Sequence, residues 1–203
     1  MSGIDRLISS VLSNEIKKEL ELDILKRVER ELFLEYGMSI KLSIEHFNKF
    51  TSILKKNSTL DANKFEIDCI NKIIKIKKSD GKYFVTVVDT DLSNLILELF
   101  GEIDSRNIIS TLLENEYTIP QILKASKAPK TSGYRKIENL IINGLIIETG
   151  RILSESKKIS KFQCVFQEIK LDIKKGKTTV TCTISEKMME KSTSMKSILE
   201  NLE

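Results

Sequence analysis

Asp104–Phe166 reads DSRNIISTLLENEYTIPQILKASKAPKTSGYRKIENLIINGLIIETGRILSESKKISKFQCVF, and its local signals come in a telling order. Asp104 and Ser105 carry side-chain oxygens that accept from the free N–H groups of a first helical turn. Ile108, Ile109, Leu112 and Leu113 then recur at helical spacing, and Glu114-Asn115-Glu116 ends that helix. Tyr117, Thr118 and Ile119 read as extended. Thr118 caps a second helix, Pro120–Ser126, with Pro120 in the first turn, where its missing N–H costs nothing. Ile122, Leu123 and Ala125 form its inner side. Lys127-Ala128-Pro129 is a turn, because the residue before a proline is steered away from helix. A third helix, Lys130–Asn143, buries Ile137, Leu140 and Ile141 and stops at Gly144, a left-handed residue just past the helix end. Ile146–Glu148 and Ile159–Phe166 are β-rich, and Gly150–Lys158 between them is a polar hairpin tip.

Helix, helix, turn, helix and β-hairpin is the order of a winged helix-turn-helix. In that arrangement the third helix enters the DNA major groove and the hairpin, or wing, touches backbone or minor groove. The outward face of the third helix suits this use. It carries Lys130, Thr131, Ser132, Tyr134, Arg135, Lys136 and Asn139. Arg and Asn make bidentate contacts to guanine and adenine edges, while Lys, Thr, Ser and Tyr suit phosphate oxygens. Lys157, Lys158 and Lys161 give the wing its backbone contacts. Gly133 is unusual inside a helix. Either it admits close approach of the backbone to DNA, or it is tolerated near the first turn, where the glycine penalty is small.

The run TIPQILKASKAPKTSGYRKIENLIINGLI, 118–146, resembles the helix-turn-helix of archaeal and bacterial ArsR-like winged-helix regulators. Tyr134-Arg135-Lys136-Ile137, followed by Leu140 and Gly144-Leu145, is similar to archaeal members in particular. The resemblance covers about a third of the chain. It implies DNA binding as a homodimer and transcription regulation. Metal-sensing members carry paired cysteines or histidines in or near the recognition helix, and this helix has none, so metal sensing is not implied.

Charge is unevenly spread over the 203 residues. Residues 118–177 hold 13 Lys and Arg against 5 Asp and Glu, a net +8 in a chain whose total is +4. The excess lies on the expected recognition helix, the wing and the following hairpin, where a footprint for phosphates belongs. Residues 58–117 are acidic, with 7 against 11. Apolar residues at 40% and charged residues at 31% describe a soluble globular protein with a real core. No apolar run is long enough for a membrane span, and the N-terminus lacks the pattern of a secretory signal. Cys69, Cys164 and Cys182 are widely spaced and odd in number, which fits core thiols in a reducing cytoplasm better than a disulfide framework. His46 is the sole histidine. With no paired-cysteine motif beside it, no zinc set is expected from one chain. No phosphate-loop, dinucleotide-binding or hydrolase motif occurs. An enzyme is not expected, and no cofactor.

The expected fold class is α+β, mainly helical: a winged helix-turn-helix domain with an N-terminal helical region, extra β-hairpins and a C-terminal helix. The expected organisation has four parts. Residues 1–57 form a helical region for dimerisation or sensing. Residues 58–91 are a β-hairpin connector, 92–166 the DNA-binding domain, and 167–203 a β-hairpin and amphipathic helix for dimerisation. Within these, Ile4–Leu12 reads as a short helix, Glu15–Tyr36 as one helix of about 22 residues or roughly 33 Å, and Ile40–Leu54 as a third, capped by Ser39. Asn57–Asn63 reads as a linker. Phe65–Lys78 and Tyr83–Val88 read as strands around Ser79-Asp80-Gly81, although Asp68–Ile74 also fits a helix. Asp89-Thr90-Asp91 caps a helix, Leu92–Phe100. Gln163–Ile173 and Thr178–Ile184 alternate as a half-buried ribbon, and Ser185 caps a last helix, Glu186–Leu202. The functional expectation is a double-stranded DNA-binding transcriptional regulator working as a homodimer in the cytoplasm, with an unnamed effector left open. The competing expectation is a winged-helix protein-interaction adaptor in a transcription-related assembly.

Overall fold

The computed structural model describes residues 2–154 and 157–200. It is an α+β fold with one continuous apolar core.

The chain opens with α1 (Gly3–Glu19), whose Ile4, Ile8, Leu12 and Ile16 recur every four residues and are all buried. The single helix expected over Glu15–Tyr36 is instead two. Leu20 adopts an extended conformation, and α2 (Leu22–Tyr36) starts afresh. The reason is tertiary. The α1 stripe packs on α5 (Ala62–Ile73) and on the 3-10 turn Ile44–His46, whereas Val28 and Leu32 of α2 pack toward α4 (Phe47–Asn57). One straight rod could not serve both. Ser39 caps as expected, its Oγ accepting from Leu42 N at 3.3 Å. The helix it starts, α3 (Ile40–Ser43), gives way to the 3-10 turn before α4.

Phe65–Ile73 is helix rather than strand. Asp61 Oδ1 accepts from Asn63 N and Lys64 N at 3.0 and 3.2 Å, capping α5. Ala62, Glu66, Cys69, Ile70 and Ile73 then face inward at helical spacing. Extended structure begins only at β1 (Ile74–Ser79). It turns through Asp80 and Gly81, both at positive φ, into β2 (Lys82–Val87). Asp89 Oδ1 accepts from Leu92 N at 2.8 Å and starts α6 (Thr90–Leu99).

Three helices follow: α7 (Ile103–Leu112), α8 (Ile119–Ser126) and α9 (Lys130–Ile142). They pack on one another and on the hairpin of β3 (Ile146–Ser154) and β4 (Lys157–Cys164). The strands run further toward the tip than Gly150–Lys158 read as loop allowed; the tip itself, 155–156, lies outside the described residues. Tyr117 and Phe162 exchange two backbone hydrogen bonds, at 3.0 and 2.8 Å, which ties the α7–α8 connection to β4.

The last hairpin, β5 (Glu168–Lys174) and β6 (Lys177–Ser185), does not stand apart. Its β6 pairs with β2, giving one antiparallel sheet in the order β1-β2-β6-β5. The connector and C-terminal segments read separately in the sequence therefore share a sheet. The single helix expected over Glu186–Leu202 is split into α10 (Glu186–Met189) and α11 (Lys196–Glu200), with Leu202 outside the described residues. Between them Ser192-Thr193-Ser194 wraps the buried carboxylate of Asp5 in α1. Asp5 accepts from Thr193 N at 2.8 Å, Ser194 Oγ at 2.6 Å, Thr193 Oγ1 at 3.1 Å and Ser192 Oγ. Hydroxyl side chains offer the backbone alternatives to helix, and here the buried carboxylate selects one.

Candidate nucleic-acid interface

α9 is placed by its neighbours at both ends. At its start, Gln121 Oε1 accepts from Thr118 N and Thr118 Oγ1 at 2.9 and 3.0 Å, fixing the first turn of α8. Lys127 then takes a left-handed conformation (φ 56°) that turns the chain into Pro129. At its end, Gly144 sits at φ 77° with its Cα against the start of α1; a Cβ there would lie 2.7 Å from Leu7 N and overlap Gly3 O. Gly3 faces the same junction, where a Cβ would lie 2.6 Å from Gly144 O. The N-terminal helix is thus docked on the end of α9 through backbone contact that only glycine permits.

Gly133 has a reason that neither expectation supplied. It is buried, and a Cβ would overlap Leu123 Cδ2 of α8 and touch Ala128 Cβ at 3.4 Å. It lets α8 and α9 close on each other and faces away from solvent.

The outward residues divide into two groups. Lys130, Thr131, Tyr134, Arg135 and Asn139 are exposed, and Ser132 is half-buried. Asn139 Oδ1 accepts from Asn143 Nδ2 at 3.0 Å. Lys136 departs from the expectation of an open groove contact. Its Nζ lies 2.6 Å from Asp104 Oδ2 and 2.5 Å from Glu102 Oε2, and only 14% of its side chain is exposed. The bond to Asp104, then that to Glu102, hold its ammonium above the usual lysine range. The same contact corrects the role of Asp104: it lies inside the first turn of α7 rather than capping it, and joins α7 to α9. Lys161 is likewise half-buried, 3.3 Å from Glu116 Oε2. Lys157 and Lys158 of the hairpin are exposed.

Sequence reading passed over Lys124 and Lys127. Both are exposed, one on α8 and one in the α8–α9 turn, next to Lys130. Their signal was the +8 of residues 118–177. Lys124, Lys127, Lys130, Arg135, Lys157 and Lys158 form no ion pair among the described residues. The opposite, C-terminal end of α9 is different in kind. A cleft of about 410 Å³ there, reaching back to Arg135 in the second turn, is lined by Glu98, Glu102 and Glu138 as well as Arg135, Lys136 and Asn139, and Ile142 is 62% exposed. Charge therefore favours an anionic partner at the first two turns of α9. The N-cap residue of α9, Pro129, supplies no side-chain cap, so the first N–H groups and the helix dipole also face any anion there.

Other groups that could carry chemistry are dispersed. His46 is exposed at the end of the 3-10 turn. Cys69, Cys164 and Cys182 are buried free thiols, each pushed up to about 12 by burial. Among the described residues no group of three or more His, Cys, Asp or Glu could hold a metal ion, and no helix is long and apolar enough to cross a membrane.

No family model, curated protein or solved structure matches this chain.

Proposed function

We propose that this chain is a winged helix-turn-helix regulator that binds specific double-stranded DNA as a homodimer. In this reading α9 is the recognition helix and β3–β4 the wing. The observation that carries it is the division of cations just described. Lys136 and Lys161 are neutralised inside the unit, whereas Lys124, Lys127, Lys130 and Arg135, on α8, its turn and the first two turns of α9, and Lys157 and Lys158 on the hairpin form no ion pair among the described residues. Recognition helices of this class read bases from their N-terminal turns. Arg135 of the second turn is the leading base reader, with Asn139 one turn further on at the rim of the cleft, Thr131, Ser132 and Tyr134 hold phosphates, and the lysines supply sequence-independent attraction.

The competing reading is a winged-helix adaptor that binds protein. The exposed Ile103, Ile142 and Leu153 favour it. Titration of fluorescent genomic duplexes, including the protein's own promoter, in the presence of competitor DNA separates the two. Binding to one fragment that survives competitor supports the regulator; no binding at low salt supports the adaptor.

A further inference from the structure

The sheet has two edges, and they are treated differently. On β1, Lys78 shares a face with Ile74 and Ile76 and pairs with Glu186 at 3.0 Å. A charge placed on the inner face is one device that stops an edge strand from adding another. The other edge, β5, has no such device. It is seven residues long, lacks proline and glycine, and reads Glu168-Ile169-Lys170-Leu171-Asp172-Ile173-Lys174.

Its two faces are sharply distinct. Ile169, Leu171 and Ile173 stand opposite Cys182, Val180 and Thr178 of β6, so they lie on the face where Val180 and Cys182 are buried. Cover runs out along the strand: Leu171 is 44% exposed and Ile173 74%. The other face carries only charges. The two-residue turn Lys175-Gly176 closes on the pair Lys174 and Lys177. Closing pairs of such turns are hydrogen-bonded, so residues 168, 170, 172 and 174 aim their backbone groups at β6. Residues 169, 171 and 173 aim theirs outward, at the open edge.

The sequence of this edge complements itself. If two copies lie antiparallel about Leu171, Glu168 meets Lys174 of the second copy and Lys170 meets its Asp172. Ile169 meets Ile173, and Leu171 meets itself. Every charge faces its opposite, every apolar residue faces another, and the outward backbone groups of 169, 171 and 173 find partners. A shift by one residue in either direction would set charges against apolar side chains. In a single copy the same charges pair along their own exposed strand, Lys170 with Glu168 at 3.2 Å and Lys174 with Asp172 at 2.8 Å, and Glu168 Oε2 also accepts from Thr183 Oγ1 of β6 at 3.5 Å. Pairs so exposed hold little and are readily exchanged.

We propose that β5 is the seam of a two-fold homodimer, pairing with its own copy about Leu171 to continue the sheet across both chains. This rests on the dimer part of the reading above and not on DNA contact. An isologous contact of this kind closes on itself and leaves no open β5 edge; the joined sheet ends on each side in β1, the edge that carries Lys78.

Sedimentation of the full chain over a concentration series tests it, with circular dichroism to verify folding. The wild type sediments as a dimer. Lys170→Glu sets a carboxylate against the second copy's Asp172, twice by symmetry, and Asp172→Lys sets two ammonium groups together. Each raises the dissociation constant about tenfold or more. The double variant K170E/D172K regains the dimer, and so does an equimolar mixture of the two single variants, as a heterodimer. Leu171→Pro removes an N–H that faces solvent in one chain, and gives a folded monomer. A wild type that stays monomeric at all concentrations overturns the proposal. So does a dimer that neither single charge reversal weakens, which would place the contact elsewhere. A β5 dimer that binds no DNA would leave the seam standing and remove only the DNA reading.

Discussion

Glu66 offers a test of the packing of α5 against the C-terminal segment. Its carboxylate is buried; Oε2 accepts from Ser197 Oγ at 2.8 Å, and Oε1 has no hydrogen-bond partner among the described residues. Burial pushes its pKa from 4.5 up to about 7, the hydrogen bond from Ser197 opposing this and the charge of Asp5 reinforcing it. The unfolded chain loses this proton near pH 4.5, whereas the folded chain keeps it until about pH 7. Between those values the native state holds the extra proton, so stability falls as pH rises from about 4.5 to 7 and levels off above. At about 1.4 kcal/mol for each pH unit between the two values, the full loss is about 3 kcal/mol. Glu66→Gln keeps the shape and removes the charge. Urea denaturation at pH 5, 6, 7 and 8 reads the difference between wild type and variant, which cancels all other titrating groups. The two should agree within about 1 kcal/mol at pH 5, and the variant should be more stable by about 2–3 kcal/mol at pH 8. At 2–4 °C for each kcal/mol in a chain of this size, that is roughly 5–10 °C in Tm. A difference that stays constant from pH 5 to pH 8 would refute the reasoning.

Gly144→Ala should cost about 2–4 kcal/mol, since the left-handed conformation and the overlap with Gly3 O both oppose it; thermal melts should show Gly133→Ala less harmful, because there a leucine methyl can yield. Lys136→Gln should leave DNA affinity within about twofold, its ammonium being held by Asp104 and Glu102 rather than offered to phosphate; a large loss in a titration against the target duplex would return Lys136 to the interface. Arg135→Ala should cost about 1–3 kcal/mol of discrimination at one base pair. By contrast, Lys158→Ala should weaken binding to all sequences alike and reduce the salt slope by about one contact. Competition with single-base variants of the target duplex distinguishes these two effects.

The segments legible in the sequence are those fixed by local turn chemistry. Thr118 before Pro120, Lys127-Ala128-Pro129, Gly144, Ser79-Asp80-Gly81 and Asp89 each mark a boundary that the structure keeps within about two residues. What failed depended on distance. Over Phe65–Ile73 the isoleucines and phenylalanine suit helix and strand alike; the one local sign of helix, the cap at Asp61, lay in a stretch read as linker, and the core face decides. The break at Leu20 has no glycine or proline to announce it and follows from two packing partners. The Lys136 pairs with Asp104 and Glu102, and the Lys161 pair with Glu116, join residues more than 30 positions apart. Outward spacing on a helix wheel cannot reveal them. Pairing of β2 with β6 across the whole of residues 88–176 is of the same kind.

The salt dependence of binding to the promoter duplex bears most directly on the proposed function. Six cations form no ion pair among the described residues: Lys124 on α8, Lys127 in the α8–α9 turn, Lys130 and Arg135 in the first two turns of α9, and Lys157 and Lys158 on the hairpin. If they meet phosphates or base edges, the logarithm of the binding constant should fall with the logarithm of salt concentration at a slope of about −4 to −5 per protomer. Fluorescence anisotropy from low to physiological salt gives that slope. A slope near zero, or no binding even at low salt, would contradict DNA recognition by this surface.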